Sequence, residues 1–169
     1  KDSGANCVKF QCIDYDNWIS HELKIFARAS STGFKTQLER LKSIQLKLEQ
    51  YVELAELCRS IGIDFGCTIF DVYVFDALKE YLAFAKVSSA EIYNLDTLDI
   101  VKKLNIPIVF STGLAKSLEE IHDINNYLDR KAYIMHCVSR YPTNPENSNM
   151  SNIRILQNNF GKRTLRKCC

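Results

Sequence analysis

The stretch IPIVFSTGLAKSLEEIHDINNYLDRKAYIMH, residues 106–136, decides the fold. It begins and ends with an apolar run, Ile106–Phe110 and Ala132–His136, as expected of parallel strands that are covered on both faces. Between them, Ser117 and Glu120 have the spacing of a capping box, in which each side chain accepts from the other residue's backbone amide. The helix that follows presents one apolar stripe, formed by Leu118, Ile121, Ile124 and Leu128. Strand, helix and strand in this order predict a βα unit of a parallel sheet.

The same alternation covers most of the chain. Three more strands are predicted at Cys7–Gln11, Ile63–Cys67 and Phe84–Ser88. Helices are predicted over residues 48–58 (ended by Gly62), 71–82 (capped by Asp71), 95–104 and 152–160, with a further helix at 36–44. The later strands recur roughly every 20–25 residues, the spacing of βα units with short loops. An open doubly wound sheet and a piece of a barrel both fit this pattern, and no Gly-rich phosphate loop follows any strand.

Composition excludes several classes of protein. The 169 residues are 46% hydrophobic and 25% charged, with a net charge of +2, so one domain is expected and nucleic acid is not an expected partner. No apolar run approaches the ~20 residues that span a membrane, so no membrane association is expected. The seven cysteines are odd in number and contain no C-x-x-C pair. They predict free thiols in a reducing compartment, hence a cytoplasmic protein without a structural zinc site.

Polar side chains follow the predicted strands. In a βα barrel the carboxyl ends of the strands converge on the face that carries the chemistry. Lys9 and Lys86 lie inside apolar strands, where a charge is costly to bury unless an anion pairs with it. Hydroxyl groups that could donate to the same anion are those of Thr68, Ser89, Ser111 and Thr112. The pattern predicts a substrate that bears phosphate or carboxylate.

Each of these signals also has a purely structural reading. Either lysine could extend its ammonium to solvent. Ser and Thr at strand ends frequently cap the following helix. His136, taken alone, is interpreted as a hydrogen-bonded core histidine rather than a metal ligand or base.

Five motifs, in chain order, resemble those of the NeuB family, the N-acetylneuraminate (sialic acid) synthases and their relatives. GANCVKFQ (4–11) is similar to the family's GAdaVKFQ, and GIDFGCTIFD (62–71) to Gi.F.STPFD. KVSSAEIYNL (86–95) is similar to KI.SGE.tNl, PIVFSTGL (107–114) to PvilSTGm, and HCVSRYPTNPE (136–146) to HC.S.YPTpPE. The chain departs from these motifs at Cys67, Ile69 and Ala90, where the family has Ser, Pro and Gly. Because Ala90 replaces a glycine where the backbone can need freedom, we expect the geometry of the site there to differ from the family's.

The resemblance implies an α/β fold, a partial (β/α)8 TIM barrel with five of the eight parallel strands. We expect an incomplete barrel domain over residues 1–161 and a basic, solvated tail outside the family pattern over residues 162–169. Where the family continues into a strand reading vGYSDHT, this chain reads KRTLRKCC. The family's metal-ligand histidines are therefore expected beyond its end, which suggests a truncated or frame-shifted product.

The family condenses phosphoenolpyruvate with N-acetylmannosamine or a related amino-sugar and releases phosphate, using a divalent metal such as Mn²⁺ or Mg²⁺. The resemblance therefore implies a C–C bond-forming transferase that is a homodimer when complete. This chain alone is expected to be inactive and to bind no metal strongly. Two alternatives stay open. One is a non-catalytic remnant that binds or oligomerises; the other is an unrelated phosphate-binding βα protein such as an aldolase, with Lys9 facing solvent or forming a Schiff base.

The resemblance also assigns site residues. The phosphate and carboxylate of phosphoenolpyruvate would be held by Lys9, Thr68, Lys86, Ser89 and Ser111. The sugar side would be lined by Gln11, Glu91, Ser139 and Tyr141. Among these, Lys86 and Glu91 are the expected catalytic residues.

Overall fold

Six parallel strands form one sheet in the computed structural model, which describes residues 2–13, 39, 42–70, 72–140 and 143–165. The strands are β1 (Cys7–Cys12), β2 (Asp64–Ile69), β3 (Phe84–Val87), β4 (Ile108–Ser111), β5 (Tyr133–Met135) and β6 (Thr164–Leu165). Each strand pairs with the next one along the chain, and every pairing is parallel. This sequential order is that of a barrel wall rather than of a doubly wound sheet, whose order reverses at a switch point.

Helices connect the strands as the apolar stripes predict. They are α1 (Leu48–Ile61), α2 (Val72–Leu78), α3 (Leu95–Lys103), α4 (Leu118–Tyr127) and α5 (Ser151–Phe160). Gly62 ends α1 in the left-handed conformation, with φ of 66°, which confirms it as the C-terminal stop. The predicted cap Asp71 and most of the helix predicted at 36–44 lie outside the described residues. Among the described residues, no helix has the length and apolarity to cross a membrane.

The sixth strand corrects the prediction of five strands and a solvated tail. Thr164 pairs with Ile134 and is buried, although Lys162 just before it is exposed in a 3₁₀ turn. A two-residue strand has no periodicity that sequence could reveal. Residues 164–165 are therefore part of the sheet, while a domain boundary after residue 161 stays a prediction.

One face of the sheet packs on the helices, and the other carries polar groups. Phe65, Cys67 and Ile69 of β2 are buried in the hydrophobic core, together with Tyr51 of α1 and Leu78 of α2. Because side chains alternate along a strand, the residues between them point to the opposite face. We call this opposite side the polar face; it includes Lys9, Gln11, Gly66, Thr68 and Lys86.

The capping box predicted at α4 is joined by a neighbouring loop. Ser117 Oγ accepts from the Glu120 amide at 3.2 Å, as predicted. Glu120 Oε2 accepts from the amide of Lys116 at 2.7 Å and from the hydroxyl of Tyr93 at 2.6 Å. After the bonds to Tyr93 and Lys116, a bond from the Ser117 backbone amide also lowers the pKa of the Glu120 carboxyl, so the reciprocal contact of the box is present as well.

A buried hydroxyl joins α1 to the edge strand β1. Tyr51 is 4% exposed, and its hydroxyl donates to the carbonyl of Gln11 at 2.8 Å. We expect Tyr51→Phe to lower the free energy of unfolding by about 1 kcal/mol, measured by urea denaturation. Tyr127→Phe, which removes an exposed bond to Asp99, is the control and should cost about half as much or less. Equal losses in the two variants would contradict this prediction.

Candidate active site

The predicted lysines and hydroxyls lie side by side at the carboxyl ends of neighbouring strands. In the sheet register Gln11 is opposite Thr68, and Thr68 is opposite Lys86. These three side chains therefore occupy one row across the polar face. Lys9 lies two residues before Gln11 on the same strand and so faces the same side.

Lys86 places a buried ammonium group at the end of this row. The residue is 4% exposed, and its Nζ donates to Ser111 Oγ and to the carbonyl of Val87, both at 2.7 Å. Both of these acceptors are electrically neutral. The reading in which Lys86 extends to solvent is therefore wrong, and the Lys86–Ser111 contact joins two residues predicted to bind the same anion.

Lys9 brings a second ammonium group to the row. Its Nζ donates to Thr68 Oγ1 at 3.4 Å, a long bond, and Thr68 is only 1% exposed. Lys9 itself is exposed. The alternative of an unrelated, aldolase-like protein also predicts that Lys9 is exposed. This exposure therefore does not distinguish that alternative from the site implied by the family resemblance.

Two serines connect the loops that follow β3 and β5. Ser89 Oγ and Ser139 Oγ are 3.0 Å apart and exposed. Because Ser89 was predicted on the phosphoenolpyruvate side and Ser139 on the sugar side, the two predicted subsites meet here. Gly113 leaves room for this pair, since a Cβ on Gly113 would lie 2.4 Å from Ser139 Oγ. The motif STG contains this glycine, but sequence alone does not reveal which side chain it accommodates.

Glu91 is buried in the loop between β3 and α3. Its Oε2 accepts from Asn94 Nδ2 at 2.8 Å and from Thr97 Oγ1 at 3.0 Å, and the residue is 6% exposed. This carboxylate therefore organises the loop after β3 and the first turn of the helix, a role that sequence reasoning missed. Its predicted contact with the sugar stays a prediction.

Two further polar residues that follow the strands contact backbone carbonyls. Thr112 does not join the cluster, because its hydroxyl donates to the carbonyl of Met135 at 3.4 Å, on the side away from Ser111. His136 is confirmed as a core histidine: it is 4% exposed, and Nε2 lies 2.7 Å from the carbonyl oxygen of Ser148. Tyr141 lies outside the described residues.

The departures from the family motifs leave the polar face intact. Cys67 and Ile69 point into the hydrophobic core, where they are 0% and 1% exposed. Ala90 does not require the left-handed conformation, since the described non-glycine residues with positive φ are Asp129, Arg130 and Asn149. A change of the site geometry at Ala90 stays a prediction.

Burial of Cys67 gives the fold a dependence on alkaline pH. Desolvation raises the pKa of the Cys67 thiol to about 11, whereas an unfolded chain loses this proton near pH 8.5. Between these values the unfolded state binds fewer protons than the folded state, so stability falls as pH rises. We expect the wild type to lose about 1–2 kcal/mol more than Cys67→Ala between about pH 8 and about pH 10. Parallel urea curves for both proteins check this, and identical slopes with pH would contradict it.

Among the described residues, no group of three or more His, Cys, Asp or Glu side chains is arranged to hold a divalent metal ion. The described residues therefore do not by themselves fit the Mn²⁺ or Mg²⁺ that the family resemblance implies.

A sequential parallel sheet with two ammonium groups and several hydroxyls at its carboxyl edge has the strand order and the polar carboxyl face that are typical of βα barrels. The family profile described as "NeuB family" matches residues 1–164. The chain belongs to the NeuB family, and its fold class, α/β with the parallel strands of a TIM barrel, is confirmed.

Individual relatives support this assignment. The chain is 30% identical to N,N'-diacetyllegionaminic acid synthase of Legionella pneumophila over 95% of its length and 48% of the relative's. It is 28% identical to N-acetylneuraminate-9-phosphate synthase of Drosophila melanogaster, over 95% of its own length and 44% of the relative's. The crystal structure of N-acetylneuraminic acid synthetase from Leptospira borgpetersenii superposes with a TM-score of 0.77 at 25% identity, covering 95% of this chain and 53% of that one. The chain thus spans about half the length of the curated relatives it matches.

Proposed function

We propose that this chain supplies the phosphoenolpyruvate-binding part of an enzyme that condenses phosphoenolpyruvate with N-acetylmannosamine or a related amino-sugar. Its relatives bear the names of synthases of legionaminic and neuraminic acids, which supports a sugar-acid product. The observation that carries the proposal is the buried Lys86 ammonium, bonded to Ser111 at the end of the row that contains Thr68.

The two lysines suit the two negative groups of phosphoenolpyruvate. Lys86 is the better candidate for the phosphate, because a buried ammonium attracts an anion more strongly than an exposed one. Ser111 and Thr68 orient the two ammonium groups and can themselves donate to phosphate oxygens. Groups that are held in place before substrate arrives stabilise charge on the departing phosphate without reorganisation.

The sugar is proposed to bind beside the serine pair. Ser139 contacts Ser89 there, and Gln11 lies in the same row as Thr68 and Lys86. Glu91 and Tyr141 are proposed sugar-side residues on the resemblance alone. The relatives' names cover several sugar acids, so the proposal extends to the amino-sugar class and not to one substrate.

Three further properties are proposed for the complete enzyme. Since the described residues do not fit a divalent metal, Mn²⁺ or Mg²⁺ would be held by other residues of that enzyme. The homodimer is proposed from the resemblance. A cytoplasmic location is supported by the described cysteines, which are all free thiols.

Release of inorganic phosphate tests the proposal. The chain is incubated with Mn²⁺, phosphoenolpyruvate and N-acetylmannosamine, and phosphate is measured against a sample without the sugar. Because the metal is proposed to be held by other residues, we expect this chain alone to bind phosphoenolpyruvate saturably without releasing phosphate. Sugar-dependent release would show that the chain itself condenses the two substrates. Neither binding nor release would contradict the proposed function.

A further inference from the structure

An exposed hydrogen bond joins two loops of the candidate active site. Tyr93 lies in the loop between β3 and α3, and Glu120 lies in the first turn of α4. The Tyr93 hydroxyl donates to Glu120 Oε2 at 2.6 Å, and the carbonyl oxygen of Leu114 lies 3.2 Å from the same hydroxyl. Glu120 Oε2 also accepts from the backbone amide of Lys116 at 2.7 Å. One carboxylate oxygen thus holds the loop before α4 and the loop before α3 together.

The loop that contains Tyr93 also carries Ser89. Its backbone is folded into two successive turns, in which the Glu91 amide donates to the Ser88 carbonyl at 3.1 Å and the Asn94 amide donates to the Glu91 carbonyl at 3.0 Å. Glu91 fixes this loop from the inside through α3, whereas Tyr93 fixes it from the outside through α4. If the outer side of this loop moved, Ser89 would shift relative to Ser139 in the loop after β5.

The chemistry of this bond makes it stronger than a typical exposed contact. The hydrogen bond to Glu120 raises the pKa of the Tyr93 hydroxyl, and the same bond lowers the pKa of the Glu120 carboxyl. Both directions mean that a neutral hydroxyl donates to an ionised carboxylate, which is the short and strong class of hydrogen bond. The position of Tyr93 is Thr in the motif KI.SGE.tNl, and a Thr hydroxyl lies much closer to its own backbone.

We propose that Tyr93 is a positioning residue, whose bond to Glu120 holds the β3–α3 loop so that Ser89 stays beside Ser139 and ready to contact the bound anion. The inference rests on the proposed function for the identity of that anion, phosphoenolpyruvate. Tyr93 itself is 48% exposed and acts through the loop rather than by touching substrate.

The chain offers a matched control in Tyr127. Its hydroxyl donates to Asp99 Oδ1 at 2.6 Å, the contact is also exposed, and the carboxylate likewise raises the pKa of the tyrosine. This bond joins α4 to α3 instead of joining two site loops. Tyr127→Phe therefore removes the same chemical interaction without releasing the β3–α3 loop.

Two measurements on the full chain test the inference. Amide hydrogen exchange reports on the loop without any ligand, and calorimetric titration gives the Kd of phosphoenolpyruvate. We expect Tyr93→Phe to accelerate exchange of the Glu91 and Asn94 amides about 5-fold and to raise the Kd about 3- to 10-fold. Glu120→Gln keeps an acceptor oxygen but loses the charge, so both measurements should change in the same direction as in Tyr93→Phe and by about half as much on a logarithmic scale. Tyr127→Phe should leave both unchanged.

The outcomes separate the inference from the proposed function. If wild type binds phosphoenolpyruvate and Tyr93→Phe binds it equally well, the positioning role is wrong, whatever the exchange rates show. If wild type does not bind phosphoenolpyruvate, the proposed function is wrong, and the exchange rates alone decide whether Tyr93 orders the loop. Equal acceleration in Tyr93→Phe and Tyr127→Phe would overturn the inference, because the effect would then be a general loss of stability.

Discussion

Replacing Lys86 by Met is expected to weaken phosphoenolpyruvate binding by about 30-fold, because a hydrogen bond to a charged group contributes about 1.5–3 kcal/mol. Met keeps the length of the side chain but removes the ammonium that now contacts Ser111 at 2.7 Å. Calorimetric titration of wild type and variant measures the change. A variant that binds as tightly as wild type would show that the anion does not contact Lys86.

The stability of this variant provides a second readout. Because Met fills a volume similar to that of the lysine chain, we expect the free energy of unfolding to change by less than about 1.5 kcal/mol. Lys79→Met is the matched control. Lys79 is exposed, lies in the turn after α2, and its Nζ is 3.1 Å from Oδ1 of Asp76 on that helix. That variant should bind phosphoenolpyruvate as wild type does. A large loss in both variants would point to long-range electrostatics instead of a site at Lys86.

Replacing Gly66 by Ala is expected to lower the free energy of unfolding by about 3 kcal/mol, the largest effect on stability that we predict. A Cβ on Gly66 would lie 2.1 to 2.5 Å from three ring atoms of Phe84 on the neighbouring strand. β2 lies between β1 and β3, so its backbone cannot move away without disturbing both pairings. Urea denaturation of wild type and variant measures the loss.

A double-mutant cycle identifies the cause of this loss. Phe84→Ala removes the ring that blocks the space, so the double variant Gly66→Ala/Phe84→Ala should be less destabilised than the sum of the two single variants. We expect a coupling of about 2 kcal/mol. Strict additivity would mean that the glycine is needed for backbone reasons and not for the close approach of Phe84.

The parts of the fold that sequence predicts are those with a long repeating pattern. The stripe of α4 has helical periodicity, and the apolar runs of β2 to β5 are too short for helices, so the type of these elements follows from the sequence. The row of Gln11, Thr68 and Lys86 also follows, because carboxyl ends of sequential parallel strands must lie together. By contrast, β6 has two residues, so its pairing depends on β5 being present and not on a local pattern.

Individual side-chain partners could not be predicted from spacing. Glu120 has the position of a capping-box residue, yet its carboxylate contacts Tyr93, 27 residues away in sequence. Glu91 follows a strand, the position expected of a substrate-binding residue, yet its Oε2 accepts hydrogen bonds from Asn94 and Thr97. The contact between Glu120 and Tyr93 is tertiary, so only the fold determines it. The partners of Glu91 are close in sequence, but their contact depends on how the loop before α3 folds. Thr112 differs for a simpler reason, since it is adjacent to Ser111 and alternation places it on the other side.

A titration of the ¹⁵N-labelled chain with phosphoenolpyruvate, followed by NMR, tests most directly whether the polar face binds this anion. We predict saturable shifts of the amides of Thr68, Lys86, Ser89 and Ser111, with no shifts around Lys79 or Lys102, two lysines elsewhere that contact carboxylates. Inorganic sulfate at the same concentration should produce weaker shifts of the same amides, because it lacks the carboxylate that the second ammonium would bind. Absence of saturable shifts in these strand ends, or equal shifts around the surface lysines, would contradict a phosphoenolpyruvate site in this sheet.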